Sequence, residues 1–386
     1  MSQDVIIRST HLDGAEVSWF APICNDDYRY LGVPEDQYKS TFEHTKDILL
    51  TAEKNGFRNI LCPSSYQVGQ DPLAFAAAVA PMTSRINLLI AIRCGEFYPP
   101  MLGRYLASLD HILKGRLTIN IISSDMPGEK LSSEQRYQRS REAIEILKQG
   151  FQEDRVDFKG QFYNCSIPNT DPVKPYQNGG PLFYFGGYSD HALRLCAEHC
   201  DVYLMWPDRE EVLLEQMHRL SHYAFNEFDR KLDYGLRVHM IVRETEKEAK
   251  EYAQSMVSKL DFSQGEKIRN RALDAASKGV SLQSELREKS DHDGFVEPLL
   301  WTGVGRARSG CGAALVGTPE QILEKLKRYQ EMGIRAFIFS SYPHKEECDM
   351  VGKYILPHIK TVSLPQELGR IPEQAPNTPL AARKRV

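Results

Sequence analysis

Arg237 and His239 stand two residues apart in a run from Tyr234 to Thr245 that is otherwise largely apolar, Tyr-Gly-Leu-Arg-Val-His-Met-Ile-Val-Arg-Glu-Thr. On a strand that spacing points both side chains to one face. Leu236, Val238 and Ile241 put the strand indoors. A buried, unpaired guanidinium costs about several kcal/mol of lost hydration. Either acidic side chains answer it as a structural ion pair, or an anionic ligand does.

Other stretches carry chemistry at the ends of apolar runs. Phe185-Gly186-Gly187-Tyr188-Ser189-Asp190 joins such a run to a helical pattern. Its glycines let backbone approach a phosphate at a helix N-terminus, although an ordinary βα turn uses the same residues. Trp206 ends another run, in Leu-Met-Trp-Pro-Asp. Ser340-Ser341-Tyr342-Pro343-His344 offers a phenol and an imidazole, or simply a turn closed by Pro343. The stretch from Gly303 to Gly312 matches neither the Rossmann nor the P-loop spacing and reads as a mobile lid carrying Arg306 and Arg308. HExxH, Gly-x-Ser-x-Gly and Walker patterns are absent, and no metal site is expected. His11, His44 and His111 read as ordinary histidines.

The elements that must position these groups alternate. Strands are expected at Val17 to Ala21, Arg58 to Cys62, Asn87 to Ile92, Leu117 to Ile122, Leu182 to Phe185, Asp201 to Met205, Gly235 to Val242 and Ala336 to Ser340. Helical patterns follow each of them, with capping boxes at Ser132/Gln135, Thr245/Glu248 and Thr318/Gln321. Eight βα units over this length predict a (β/α)8 TIM barrel spanning 1–363, with an open doubly wound sheet as the alternative. Insertions fall at 156–181, beginning with a small hairpin, and at 263–317. The tail, 364–386, is proline-rich and expected to be extended. Leu368, Ile371 and Leu380, with the basic end Arg383-Lys384-Arg385, suit an arm lying across a neighbouring subunit. On a barrel, chemistry sits at the C-terminal strand ends and the loops after them.

Composition narrows the function classes. The 386 residues are 41% hydrophobic with a formal net charge of -4, leaving no basic footprint for nucleic acid or an anionic membrane. There is no apolar stretch of membrane-spanning length and no signal-peptide pattern at the start, so a cytoplasmic protein is expected. Its eight cysteines match neither a disulfide framework nor a zinc site and read as reduced thiols.

Five motifs in order resemble the bacterial-luciferase-like flavin monooxygenases, and among them the alkanesulfonate monooxygenases. They are Tyr184-Phe-Gly-Gly, Tyr203-Leu-Met-Trp, Leu236 to Thr245, Leu300-Trp-Thr-Gly-Val-Gly with Arg308 and Ala314-Leu-Val-Gly, and Ser341-Tyr-Pro-His. The resemblance implies FMNH2 from a separate flavin reductase, O2 as co-substrate, cleavage of an organosulfonate to an aldehyde and sulfite, and a homodimer or homotetramer. Carried over by motif, Trp206, Arg237, His239, Arg308, Tyr342 and His344 would line the flavin and sulfonate site. Arg237, His239, Arg308 and Tyr342 would be catalytic. Gly187 and Ser189 would hold the FMN phosphate, with Ser123 and Tyr137 beside the cofactor. The anion that Arg237 needs would then be a sulfonate or a flavin peroxide.

Two loops depart from the family pattern. Pro63 to Asp71 is longer than in the alkanesulfonate enzymes and has no thiol, and the first loop reads Cys24-Asn-Asp-Asp-Tyr28. A mouth of amides, hydroxyls and carboxylates suits a hydroxylated sulfonate such as sulfoquinovose, because such groups left unpaired against an alkane cost about 1 to 3 kcal/mol each. Simple alkanesulfonates or methanesulfonate are the nearest alternative. An F420-dependent oxidoreductase and a non-catalytic flavin-binding protein on the same barrel are the further ones.

Overall fold

The computed structural model describes residues 4–376 except 171–172, 262, 264, 266–276 and 309. In chain order the strands are β1 (Glu16–Phe20), β2 (Asn59–Cys62), β3 (Asn87–Arg93), β4 (Leu117–Ile122), β5 (Arg155–Lys159), β6 (Asn164–Pro168) and β7 (Leu182–Phe185). They continue with β8 (Val202–Met205), β9 (Asp233–Val242), β10 (Phe295–Glu297), β11 (Leu300–Trp301), β12 (Ala314–Gly317) and β13 (Ile334–Ser340). Eight of them, β1-β2-β3-β4-β7-β8-β9-β13, pair in parallel and close on themselves through β13 and β1. The expected barrel is therefore formed, with helices between its strands.

Alternation along the strands sorts the core into two layers. Phe20, Leu61, Leu89, Tyr184, Leu204 and Ile338 pack together as one cluster. Val17, Trp19, Ile60, Leu88 and Ile90 belong to the larger core shared with the helices. Both faces being buried explains why these strands read as continuous apolar runs. All three expected capping boxes form. Helices Phe42–Asn55 and Pro319–Met332 end at Gly56 and Gly333, with φ of 94° and 111° that a side chain would resist.

Three parts differ from expectation. The end of the 263–317 insertion is built into the sheet rather than hanging as a loop. β9 is long enough to pair with β8 over 233–236 and then, on the same edge, with β12 over 239–242. β10 and β11 extend that sheet, and helix Lys278–Glu288 precedes them. The helix expected to start at Glu346 starts at His344 and ends at Tyr354. The 156–181 insertion does carry its hairpin, β5 with β6, and Glu142 accepts the N–H groups of Gln161, Phe162 and Tyr163 at its tip.

The third difference is the tail, which is not extended from its first residue. Leu364–Glu367 is a helical turn with Leu364 buried. It closes the barrel at the strand starts, where Glu16 accepts from Asn59 Nδ2 at 2.9 Å, Tyr184 OH at 2.6 Å and the Leu364 N–H at 3.0 Å. Leu368 packs against the inner cluster and Ile371 reaches Gly115, so both rest on their own chain. Leu380 and the basic end lie outside the described residues.

This plug gives the first prediction. Leu364→Ala should lower unfolding free energy by about 2 to 5 kcal/mol, read as an earlier urea midpoint. An unshifted midpoint would mean that the barrel floor is closed without it.

Candidate active site

A cleft open to solvent lies at the C-terminal ends of the barrel strands. Trp206, Arg237, Arg308 and Tyr342 line one side of it. Arg93, the last residue of β3, and Ser124 lie on another. The lining thus holds three guanidiniums and, among the described residues, no carboxylate.

Arg237 faces inward because β9 alternates, and its guanidinium lies 4.2 Å from the centroid of the Phe20 ring. Its Nε and Nη2 atoms are closed off from water and have no hydrogen-bond partner among the described residues. Burial, reinforced by Arg308, pushes its pKa down to about 10. It stays charged at neutral pH, and among the described residues no carboxylate pairs with it, so the structural ion pair considered from the sequence is not found there. Arg308 hydrogen-bonds the Tyr342 hydroxyl and also lies over Phe20, at 5.0 Å.

The lid expected around Arg308 is tied down on several sides. The Cys311 thiol donates to the Arg237 carbonyl at 3.3 Å, and the Gly312 N–H donates to Gln283 Oε1 at 3.2 Å. Gly310 lies against the Trp206 indole, where an added Cβ would come to 3.1 Å. Arg306 does not line the cleft.

His239 and His344 stand behind Tyr342 rather than on the cleft surface. The His239 ring stacks on Tyr342 with centroids 5.6 Å apart, and His344 meets it edge-on at 4.7 Å. His239 Nε2 is 3.2 Å from the Cys311 carbonyl and Nδ1 is 3.0 Å from Ser340 Oγ. Since a carbonyl only accepts, Nε2 carries the proton and Nδ1 accepts the hydroxyl. Burial, with Arg308 and Arg237 close by, holds this imidazole well below its ordinary pKa, so it is neutral.

His344 opens its helix, and Pro343 has no side chain with which to cap it. Asp27 from the first loop does so instead, accepting the His344 N–H at 2.9 Å and Nδ1–H at 2.7 Å. The same carboxylate accepts from the Tyr28 N–H at 2.9 Å and lies 3.1 Å from His44 Nε2. Burial alone would raise its pKa. The pull of His344, with the hydrogen bonds from His344 and His44, outweighs that and holds Asp27 at about 2. His344 Nε2 is left buried without a partner among the described residues.

The four residues expected beside a cofactor collect on the β4 and β7 side. Ser123 Oγ is 2.7 Å from Ser140 Oγ, and Tyr137 stacks on His191 at 6.4 Å. Ser189 caps helix Asp190–His199 by accepting from the Ala192 N–H. A Cβ at Gly187 would come within 2.8 Å of Ala192 Cβ, so the backbone hugs the helix start as only glycine allows. None of the four lines the cleft as its walls are drawn, although Ile122 and Ser124 on either side of Ser123 do.

The carboxylates expected at the mouth are turned away from it. Asp26 caps the Ser40 N–H, Asp71 caps helix Pro72–Val79, and Asp27 is committed to His344. The thiol missing from the second loop is present from the first: Cys24 lines the cleft and donates to the Pro63 carbonyl at 3.2 Å. Burial pushes it up to about 12, so it is a protonated thiol. All eight cysteines are free and buried. His44, expected to be an ordinary histidine, pairs with Asp27 of the first loop; Arg93 is the residue that sequence reasoning missed, and because it ends an apolar strand the rule that found Trp206 would have found it.

The chain belongs to the luciferase-like monooxygenase family, whose pattern it matches over residues 15–336. It is 58% identical over 377 residues to the sulfoquinovose monooxygenase of Agrobacterium fabrum, covering 97% of this chain and 98% of that one. It is 51% identical over 353 residues to the sulfoquinovose monooxygenase of Novosphingobium aromaticivorans, covering 89% and 96%. Among solved structures, a riboflavin lyase with modified FMN and riboflavin shares the fold at TM-score 0.72, with 15% identity over 94% of each chain.

Asp27 yields a prediction with a definite sign. Its folded pKa lies below the ordinary carboxylate value, so its contribution, about 2 kcal/mol, is present above pH ~4 and lost as pH falls towards ~2. Asp27→Asn should therefore unfold earlier in urea near neutral pH, with the gap from the parent narrowing in acid. A gap independent of pH would contradict the assignment.

Proposed function

We propose that this protein is a two-component monooxygenase that uses FMNH2 and O2 to desulfonate sulfoquinovose. One oxygen atom goes to the aldehyde and the other to water, and sulfite leaves with the C–S electron pair. Identity of 58% over nearly the whole chain to an enzyme named for that substrate supports the reading. The observation that carries it is the Arg237 guanidinium, without a partner among the described residues, in a cleft that Arg308 also lines, while the third arginine there, Arg93, is paired with Glu96. A sulfonate supplies the missing negative charge, and its oxygens suit planar guanidinium donors.

The residues present fit a flavin. The close-packed Gly187 turn and the Ser189-capped helix would take its phosphate, with Ser123 and Tyr137 alongside. Bound reduced FMN supplies the electrons that activate O2. The chain's own residues do the rest: Arg237 and Arg308 hold the sulfonate and stabilise sulfite as its charge grows. Tyr342, oriented by Arg308 and by the neutral His239, bounds the substrate together with Trp206. His344, held in place by Asp27, packs edge-on against Tyr342 and keeps its Nε2 buried. The insertion packed on Trp206 keeps water out.

A separate flavin reductase, a cytoplasmic location and a homo-oligomer belong to the same reading. No helix among the described residues is long and apolar enough to cross a membrane. The test is sulfite release from a panel of sulfonates with FMN, a flavin reductase and NADH. Sulfite from sulfoquinovose is expected, and none from any sulfonate would overturn the reading.

Two variants separate roles within it. Arg237→Met should fold with near-parental stability, since an apolar side chain replaces an unpaired buried charge, yet lose at least about a hundredfold in kcat/KM. Unfolding of this variant with activity kept in the folded fraction would return Arg237 to a structural role. Arg308→Ala should retain flavin binding but release hydrogen peroxide in place of sulfite. Normal coupling would remove Arg308 from the chemistry.

A further inference from the structure

The first and second loops give the cleft a stretch of lining of different character. Asn25, Ser64 and Ser65 line it, and all three are half-buried. Among the described residues no hydrogen bond occupies their side chains. They are the neutral polar groups left over once Asp26, Asp27 and Asp71 are spent on capping.

The two loops are locked to one another. The Gln70 N–H donates to the Ile23 carbonyl at 2.8 Å, and Gln70 Nε2 reaches the Ser40 carbonyl at 3.1 Å. Cys24 donates to Pro63, as described above. Gly69, at φ +89°, crosses so close to the first loop that a Cβ there would stand 1.9 Å from the Ile23 carbonyl oxygen. Amide and hydroxyl groups on a cross-braced wall are preorganised, so they read a ligand without first being ordered.

We infer that Asn25, Ser64 and Ser65 form a hydroxyl-reading wall that hydrogen-bonds the sugar hydroxyls of a substrate whose sulfonate lies on Arg237 and Arg308. The inference rests on the desulfonation reading and adds to it the residues that set specificity. A site built to pair hydroxyls discriminates against a ligand lacking them, because its own polar groups are then desolvated unpaired. An alkyl sulfonate of equal carbon number satisfies the arginine side and leaves this wall unpaired. The wall therefore sets the ratio between the two substrates.

The experiment compares sulfite release from sulfoquinovose and from hexane-1-sulfonate, as the ratio of kcat/KM values, in the parent, in Asn25→Leu and in the milder Ser64→Ala/Ser65→Ala. Melting temperatures establish that each variant is folded, and the serine pair serves if Asn25→Leu is not. The sulfoquinovose-to-hexanesulfonate ratio should fall about tenfold for each hydrogen bond removed. Gly69→Ala, which forces the loops apart without changing the identity of any of the three polar residues, should lower the ratio. A parental enzyme active on sulfoquinovose, with folded variants that keep its ratio, would overturn the inference alone. Equal falls on both substrates would also overturn it, by placing these side chains on the cofactor. A parental enzyme that releases sulfite from neither would overturn the function and the wall together.

Discussion

An uncompensated guanidinium in the mouth of the barrel is the constraint on which the site depends. Arg237 is held on a central strand, over Phe20, with two of its nitrogen atoms closed off and unpaired. In the absence of an anion this arrangement costs stability, and a second guanidinium on Arg308 makes it worse. On the proposed reading, burial that would be a defect in a structural core becomes affinity when a sulfonate arrives, since the desolvation has already been met by folding. The floor at the opposite end shows the contrast. There Glu16 is fully buried, yet it is answered by four donors, from Asn59, Asn87, Tyr184 and Leu364.

The groups around Arg237 are arranged so that they do not neutralise it. His239 is held neutral and spends both ring nitrogens on protein atoms, serving Tyr342 through its face. Asp27, the nearest buried anion to His344, is saturated by four donors from its own loop, from His344 and from His44. Asp27 is thereby occupied elsewhere, and Glu96 answers Arg93, its carboxylate oxygen lying 3.2 Å from Arg93 Nε. The cleft keeps its positive charge and, in the same lining, neutral hydroxyls and an amide.

Much of this was legible in the chain because it is local. Strand and helix alternation gave the barrel, and the two-residue spacing of Arg237 and His239 put them on one inward face. Tyr342 and Trp206 were found by their places at strand ends. What escaped were contacts that no local pattern encodes. Asp27 meets His344 across 317 residues, and its acidity looked like a property of the mouth. β11 and β12 are two and four residues long, too short for periodicity to register within a glycine-rich stretch. The turn at Leu364 is helical because the barrel floor needs its N–H and its side chain, a tertiary demand that overrides a proline-rich composition. His239 was expected to touch the ligand; its spacing revealed the face, but not that Tyr342 would cover it.

The claim that the mouth is an anion site completed by substrate is tested most directly by calorimetric titration of sulfoquinovose into the FMNH2-loaded enzyme under anaerobic conditions, beside Arg237→Met. The account predicts that the parent binds and that the variant, equally folded, binds at least about a hundredfold more weakly. Equal affinity in the two proteins would contradict it, because the charge of Arg237 would then play no part in holding the sulfonate.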